Sequence, residues 1–322
     1  MPIQDRIAQV AIAKQVSLGS PASSGDYQIG VSSGTITSLE IPEDGFEMSW
    51  AGRLSEGHDR GPTTPGAEFD TLAMPRSIGL LLLAALGSVN TTGSGPYTHE
   101  FVHANVLPYL TLWSRKDGEY HRVEDVRVSE LELSWETTKA VSVKVNGIGC
   151  DLAFLGSSAY GVNSGGDERP ATGVLKGAGG TFTIDGAAAI VKSGSIKVSN
   201  GVSAVHGSDS QLPADVFPEM VEVSVSLTIV PANTTLFRKV VTGSTNGSAV
   251  QTNPQYGALV CSFTDGTNTL TFNGNHVKFL TAFPDTKAQG GPVEVTLEGD
   301  CSEDGTGTDP FTFELVNTVA SY

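Results

Sequence analysis

The sequence predicts a mainly β protein made of two similar domains, and three observations support this fold class. Short runs of Val, Leu, Ile and Phe recur along the 322 residues, separated by turns that use many of the 38 glycines and 16 prolines. Several runs alternate apolar and polar residues, which is typical of strands with one buried face. The same order of features then returns about 150 residues later, which indicates a duplication.

The duplication is visible in four pairs of segments. SIKV at 195–198 follows the pattern of SLEI at 38–41, and LFRKVVTGS at 236–244 that of LLLAALGS at 81–88. YGALVCSF at 256–263 resembles LPYLTLW, and VEVTLEGD at 293–300 resembles VSVKVNGIG at 141–149. A stretch rich in Gly, Ser and Ala lies between the halves and has the composition of a linker. We therefore predict a first domain at 1–160, a linker at 161–180 and a second domain at 181–322.

Each domain is expected to carry one helix beside its sheet. The clearest helix signal is 75–86, where Pro75 suits a first turn, Gly87 suits a C-terminal cap, and LLLLAAL lies between them. This composition predicts a helix that covers one face of a sheet. The segment 236–244 predicts a second helix that also ends at a glycine.

The first domain should end in a long antiparallel hairpin. Residues 123–135 and 141–145 alternate with a period of two, and 136–140 supplies the turn. The apolar positions change parity after Val128, which predicts a β-bulge at that point.

The composition limits the function classes. The net charge is −16 and basic residues do not cluster, which argues against tight binding to nucleic acid phosphates. The three cysteines form no CxxC pair, which suits a reducing compartment and not a disulfide scaffold or a zinc ribbon. The N-terminus resembles no secretory signal, and the apolar run 78–86 is too short to cross a bilayer. We therefore expect a soluble protein made in the cytoplasm.

One motif could indicate an enzyme, because HEFVH at 99–103 matches the H-E-x-x-H signature of zinc proteases. That chemistry needs His99 and His103 one turn apart on a helix. The neighbouring Pro, Tyr, Phe and Val residues favour a strand, where the two histidines would lie roughly 13 Å apart. We therefore interpret them as a solvent-facing pair on a strand. No nucleophile elbow, phosphate loop or dinucleotide fingerprint occurs, so we predict no catalytic residue, metal or cofactor.

The segment 97–136 resembles the tail tube (major tail) proteins of long-tailed bacteriophages. The match lies in the order of strand motifs, a y-x-H-x-F strand, an LP-x-L-T strand and a long hairpin. The matching residues are Tyr97, His99, Phe101, Leu107, Pro108, Leu110, Thr111, Tyr120, Val126, Leu131 and Leu133. FTIDG at 182–186, SIKVSNGVSAVHGSD at 195–209 and LPADVFPEMVEVSVSLTI at 212–229 extend it to the second half. The helix 75–86 and a Gly/Pro-rich excursion at 42–66 are particular to this chain.

The resemblance implies tail-tube-like β-sandwich or barrel domains that form rings, which stack around a tape-measure protein in the virion tail. Assembly would occur in the host cytoplasm. Further partners would be tail terminator and distal tail proteins, and DNA would cross the lumen without specific binding. Exposed acids on the lining strands would suit that passage. Our candidates for lumen-facing acids are Glu130, Glu132, Glu136, Glu294 and Glu298. For each of them an ordinary solvated strand face remains an equal alternative.

Two further expectations concern assembly. Family members with one tube domain generally form six-fold rings, so a chain with two domains could form a pseudo-six-fold ring from three subunits. A hexamer would instead mean that the second domain decorates the tube. The excursion 42–66 is our candidate for ring-to-ring contacts, through Arg53, Glu56, Asp59 and Arg60. The alternative function is a tail decoration or adhesin-type β-sandwich that binds a carbohydrate or host protein.

Overall fold

The computed structural model describes residues 9–34, 38–40, 43–45, 58–116, 119–156, 167–169, 173–231, 235–251, 253, 255–281 and 293–322. Within these ranges the chain is mainly β and contains two helices. The strands are β1 (Gln9–Lys14), β2 (Tyr27–Gly30), β3 (Ser38–Glu40), β4 (Glu43–Gly45), β5 (His58–Arg60), β6 (Thr64–Leu72), β7 (Gly87–Thr92), β8 (Tyr97–His103), β9 (Leu110–Lys116), β10 (Glu119–Glu136), β11 (Ser142–Ile148), β12 (Asp151–Leu155), β13 (Asp167–Glu168), β14 (Phe182–Ile184), β15 (Ala187–Ala188), β16 (Ile190–Ser199), β17 (Ser203–His206), β18 (Pro213–Phe217), β19 (Glu222–Val230), β20 (Gln255–Thr264), β21 (Thr269–Thr281), β22 (Val295–Cys301) and β23 (Phe311–Asn317). The helices are α1 (Ser77–Leu86) and α2 (Thr235–Thr242).

The main sheet has the strand order β3-β6-β11-β10-β16-β19-β22-β21, with every neighbouring pair antiparallel. β10 also pairs, through its other end, with β9 and β12. β21 pairs with β20 along most of its length and with β23 through its other end. These pairings continue into a closed barrel. Its interior holds one large apolar cluster to which both halves of the chain contribute.

The two halves use the same arrangement of strands in the main sheet. The order β3-β6-β11-β10 in the first half corresponds to β16-β19-β22-β21 in the second, and a helix follows the second strand of each unit. Each unit also has a β-bulge beside a glycine: Val128/Glu130 next to Gly147, and Phe279/Thr281 next to Gly299. The first of these bulges confirms the change of parity predicted after Val128.

The halves are joined by strand pairs as well as by the chain. β10 pairs with β16 over seven residues, and β8 pairs with β23. β13, in the predicted linker, pairs with β2 of the first half. The two four-strand units therefore share one sheet. The division into domains 1–160 and 181–322 stays a prediction.

Helix α1 forms within the predicted segment and ends at Gly87, whose φ of 93° places it in the left-handed region that favours glycine. All ten residues of α1 are buried, so the helix is enclosed on every side instead of covering a sheet with one stripe. Its amino end receives a carboxylate from a distant segment: Glu168 accepts hydrogen bonds from the backbone N–H groups of Arg76 and Ser77, at 2.9 and 2.7 Å. A buried carboxylate here satisfies two amide donors at the positive end of the helix.

The hairpin β17–β18 of the second half packs against the first half through a buried arginine. Arg127 on β10 donates hydrogen bonds to the carbonyl oxygens of Leu107 and Val216 and lies over the ring of Tyr109, 4.1 Å from its centroid. The Tyr109 hydroxyl donates to Asp215 Oδ1 at 2.7 Å. This cluster fixes the hairpin on β10, a central strand of the main sheet.

Candidate functional site

One face of the main sheet is continuously polar, because buried apolar and outward polar residues alternate along six of its strands. On β10, for example, Leu131, Leu133 and Trp135 are buried in the core, and the residues between them face outward. The polar sheet face, as we call it, comprises Glu68, Asp70, Glu130, Glu132, Ser134, Ser142, Lys144, Asn146, Ser195, Lys197, Ser199, Glu222, Ser224, Ser226, Thr228, Thr296, Glu298 and Asp300. None of these residues is fully buried. Seven carboxylates and two lysines make the face acidic.

Charges of opposite sign alternate along one row that crosses the sheet. In register from β6 to β21, the row reads Asp70, Lys144, Glu132, Lys197, Ser224, Asp300 and Lys278. Opposite charges on directly facing strand positions attract, whereas like charges there would destabilise the sheet. The row therefore lets an acidic face form without placing carboxylates directly opposite one another.

The two lysines of the polar sheet face form ion pairs with acids outside this row. Lys144 Nζ lies 2.8 Å from Glu68 Oε1, and Lys197 Nζ lies 2.6 Å from Glu130 Oε2. The hydrogen bond and the charge of Glu68 raise the pKa of Lys144, with smaller contributions from Asp70 and Glu130. The Lys144 ammonium is therefore bound within a group of carboxylates.

A row of hydroxyl groups lies beside the charged row. Ser142, Ser134, Ser195 and Ser226 occupy facing positions on four adjacent strands. The hydroxyl oxygens of Ser134 and Ser142 are 2.8 Å apart. Such a row offers hydrogen bonds to water and carries no charge.

The sheet brings the five predicted acids to the same side of the molecule. Glu130 and Glu132 lie near the centre of the polar sheet face, and Glu298 lies on β22 opposite Ser226. Glu136 ends β10 and pairs with Lys139 at 2.8 Å. Glu294 precedes β22 and pairs with Lys192 at 2.7 Å. Whether these acids face a lumen stays a prediction.

Four acids of the face were missed by the sequence reasoning: Glu68, Asp70, Glu222 and Asp300. The signal was present, because β6 and β19 alternate as regularly as the hairpin does. What periodicity does not give is which strands become neighbours.

The candidate stacking residues are only partly within the described ranges. Asp59 and Arg60 lie on β5, which pairs with β4 so that Asp59 is opposite Asp44 and Arg60 is opposite Glu43. Arg53 and Glu56 lie outside the described residues. The excursion thus contains a short hairpin of its own.

The structure confirms the strand at HEFVH and corrects one part of its interpretation. His99 and His103 lie on β8, but His99 is fully buried and does not face solvent. Its Nδ1 is 2.8 Å from Thr91 Oγ1, and its Nε2 is 2.9 Å from the carbonyl oxygen of Val319. The sequence could not show this because the segment that covers His99 follows β23, more than 200 residues away. Among the described residues, no group of His, Cys, Asp and Glu is placed to hold a metal ion.

The comparison with protein families decides the classification. The model of the phage tail tube protein family matches residues 6–308. The chain belongs to the phage tail tube protein family. No curated protein matches the sequence.

Membership of the tail tube family confirms the predicted resemblance and makes the chain a structural component of a virion tail. The match covers residues in both predicted domains. In the ranges that the structure describes, neither helix is long and apolar enough to cross a bilayer.

Proposed function

We propose that three copies of this chain close into a ring, that the rings stack into the tail tube, and that the polar sheet face lines the bore through which DNA enters the host. The observation that carries the proposal is the repeated four-strand unit, β3-β6-β11-β10 and β16-β19-β22-β21, joined within one chain by the β10–β16 pair. Six such units, the number that the family resemblance implies for a ring, would come from three chains.

The ring would close by repeating between chains the contact that β10 and β16 make within one. The free positions are the outer edge of β3, which pairs only with β6 among the described strands, and the end of β21 after Phe279, where its pairing with β20 stops. Superimposing the two four-strand units on their bulges places Thr281 of the second unit at the position of Glu130 in the first. The strand registers then place Glu40 of the first unit at the position of Ser199 in the second. Because Glu130 lies opposite Ser199, Thr281 of one copy would lie opposite Glu40 of the next. Closure of this kind removes exposed sheet edges.

The chemistry of the polar sheet face supports a conduit. Its net negative charge repels phosphates, and its serine row offers hydrogen bonds without a cation. The tape-measure protein would occupy the bore before DNA, and terminator and distal tail proteins would contact the ends of the tube. Arg53, Glu56, Asp59 and Arg60 of the excursion remain our candidates for contacts between rings.

Electron microscopy of the concentrated full-length protein tests the assembly. We expect tubes of uniform bore whose end views show three chains per ring. Six chains per ring would reject the trimer, and persistent monomers would favour the decoration or adhesin alternative.

A cysteine pair tests the contact between chains. In the variant E40C/T281C, oxidation of assembled protein should link chains covalently into trimers, since facing strand positions lie within disulfide reach. E130C/S199C is the matched control and should form the corresponding bond within one chain. L39C/T281C, shifted by one residue, should not cross-link. Tubes without E40C/T281C cross-links would reject this register.

A further inference from the structure

The lysines near the polar sheet face share one property: each has a carboxylate within contact or directly opposite on a neighbouring strand. Lys144 contacts Glu68, Lys197 contacts Glu130, and Lys192 contacts Glu294. Lys278 lies opposite Asp300. Each of these four ammonium groups therefore has a carboxylate as a neighbour.

The pairs have opposite consequences for the sheet and for a passing polyanion. In the sheet, Lys144 lies between Asp70 and Glu132, and Lys197 lies on the other side of Glu132. These positions relieve repulsion between the carboxylates. For a polyanion, an unpaired ammonium would be a phosphate contact that gains affinity by releasing counterions. A lysine that is already bound to a carboxylate offers no such contact unless the carboxylate is displaced.

We propose that Glu68 and Glu130 mask Lys144 and Lys197, so that the sheet keeps its stabilising lysines while DNA finds no free cation on this face. The inference rests on the proposed function, in which DNA crosses the polar sheet face. In this proposal the two acids act by binding the lysine ammonium groups, in addition to repelling DNA through their negative charge. Glu68 and Glu130 contact the ammonium groups, whereas Glu222 and Glu298 lie opposite serines and only add to the repulsion.

The test compares variants that each remove one carboxylate from the face, either one that contacts a lysine or one that does not. E68Q and E130Q each remove one carboxylate that contacts a lysine. E222Q removes one carboxylate of the same face whose cross-strand neighbour is Ser199. The readout is the affinity of the full-length chain, kept below the concentration at which it assembles, for a short fluorescent double-stranded DNA at low salt. Thermal unfolding of each variant checks that the fold is kept.

We expect E68Q and E130Q to raise DNA affinity about two- to fivefold more than E222Q, the range expected for release of one exposed ion pair. The dependence of the affinity on salt should steepen by about one counterion. The double variant E130Q/K197Q should return to about the affinity of the unaltered chain, because the released lysine is gone and the net charge is the same.

Equal affinities for E68Q, E130Q and E222Q, or an E130Q/K197Q variant that still binds like E130Q, would reject masking and leave only a general effect of charge. The conduit itself is judged separately, by whether the unaltered protein forms tubes. Tubes with equal variant affinities would reject masking alone, whereas absence of tubes would reject the proposed function.

Discussion

Tyr322 packs against Gly79 so closely that a side chain at position 79 has no room. A Cβ atom added to Gly79 would lie 2.1 Å from Cζ of the Tyr322 ring. The Tyr322 hydroxyl donates to the carbonyl oxygen of Arg76 at 2.7 Å and accepts from Asn317 Nδ2 at 2.6 Å. Asn317 also donates to the carbonyl oxygen of Pro75. The segment after β23 is thereby fastened to the beginning of α1.

This contact predicts that Gly79→Ala destabilises the fold, although alanine favours helices. The methyl group would displace the Tyr322 ring from its hydrogen bonds, at a cost of about 1–3 kcal/mol in the free energy of unfolding. Chemical denaturation of the variant and the wild type measures this difference in the free energy of unfolding. Gly30→Ala is the control, because a Cβ there meets no atom within 4 Å. In a Tyr322→Ala background the cost of Gly79→Ala should largely disappear; an unchanged cost would place its cause elsewhere.

The carboxylate at the start of α1 predicts a cost for Glu168→Gln. The amide can accept only one of the two hydrogen bonds with its oxygen and loses the charge that favours the helix amino end, so we expect a loss of about 1–2 kcal/mol. Glu119→Gln, at an exposed strand position, is the matched control. Hydrogen exchange of the Arg76 and Ser77 amides reports the same contact locally. Equal stability of the two variants would show that Glu168 contributes nothing at the cap.

From the contacts of the buried Arg127 we predict that the packing of the β17–β18 hairpin depends on a planar cation at this position. Arg127→Lys keeps the charge, but it cannot reach Leu107 and Val216 together while lying over Tyr109, so the hairpin should loosen. We expect a loss of about 2–4 kcal/mol for Arg127→Met, which leaves Asp215 without its nearby cation. Limited proteolysis between β17 and β18 should accelerate in the order wild type, lysine, methionine. Arg122→Lys serves as the control, and protection of the hairpin in all variants would contradict the assignment.

The thiols predict a pH dependence. Burial, with nearby acids as a second cause, raises the pKa of Cys150 and of Cys301 to about 12, and burial also raises the pKa of Cys261. In the folded chain the thiols therefore stay protonated at pH 8 and should react slowly with a thiol reagent, whereas the unfolded chain should react rapidly.

The sign of the effect on stability follows from the direction of these shifts. The folded pKa values exceed the unfolded ones, so the stabilising contribution is complete below about pH 8 to 9 and is lost as the pH rises toward 12. Denaturation midpoints measured from pH 7 to 11 should decrease at the alkaline end. Rapid reaction of folded protein at pH 8 would show that the thiols are accessible as thiolates.

Local signals in the sequence determined much of the fold. Gly87 ends α1 as predicted, because a glycine favours the left-handed backbone of a helix cap; the helix begins at Ser77, two residues after Pro75. Alternation on β10 and β11 gave the hairpin, and the parity change gave the bulge at Val128. The residues around HEFVH excluded a helix. For the site, Glu130, Glu132 and Glu298 could be assigned to outward strand faces because the side-chain period of a strand is two.

The tertiary structure alone decided what depends on distant strands becoming neighbours. Which acid contacts Lys144 or Lys197 depends on the order β6-β11-β10-β16, and no local pattern encodes that order. The burial of His99 depends on a segment that follows β23, and the cap of α1 on Glu168. These contacts join residues separated by tens to hundreds of positions, so they exist only once the chain has folded around its shared core.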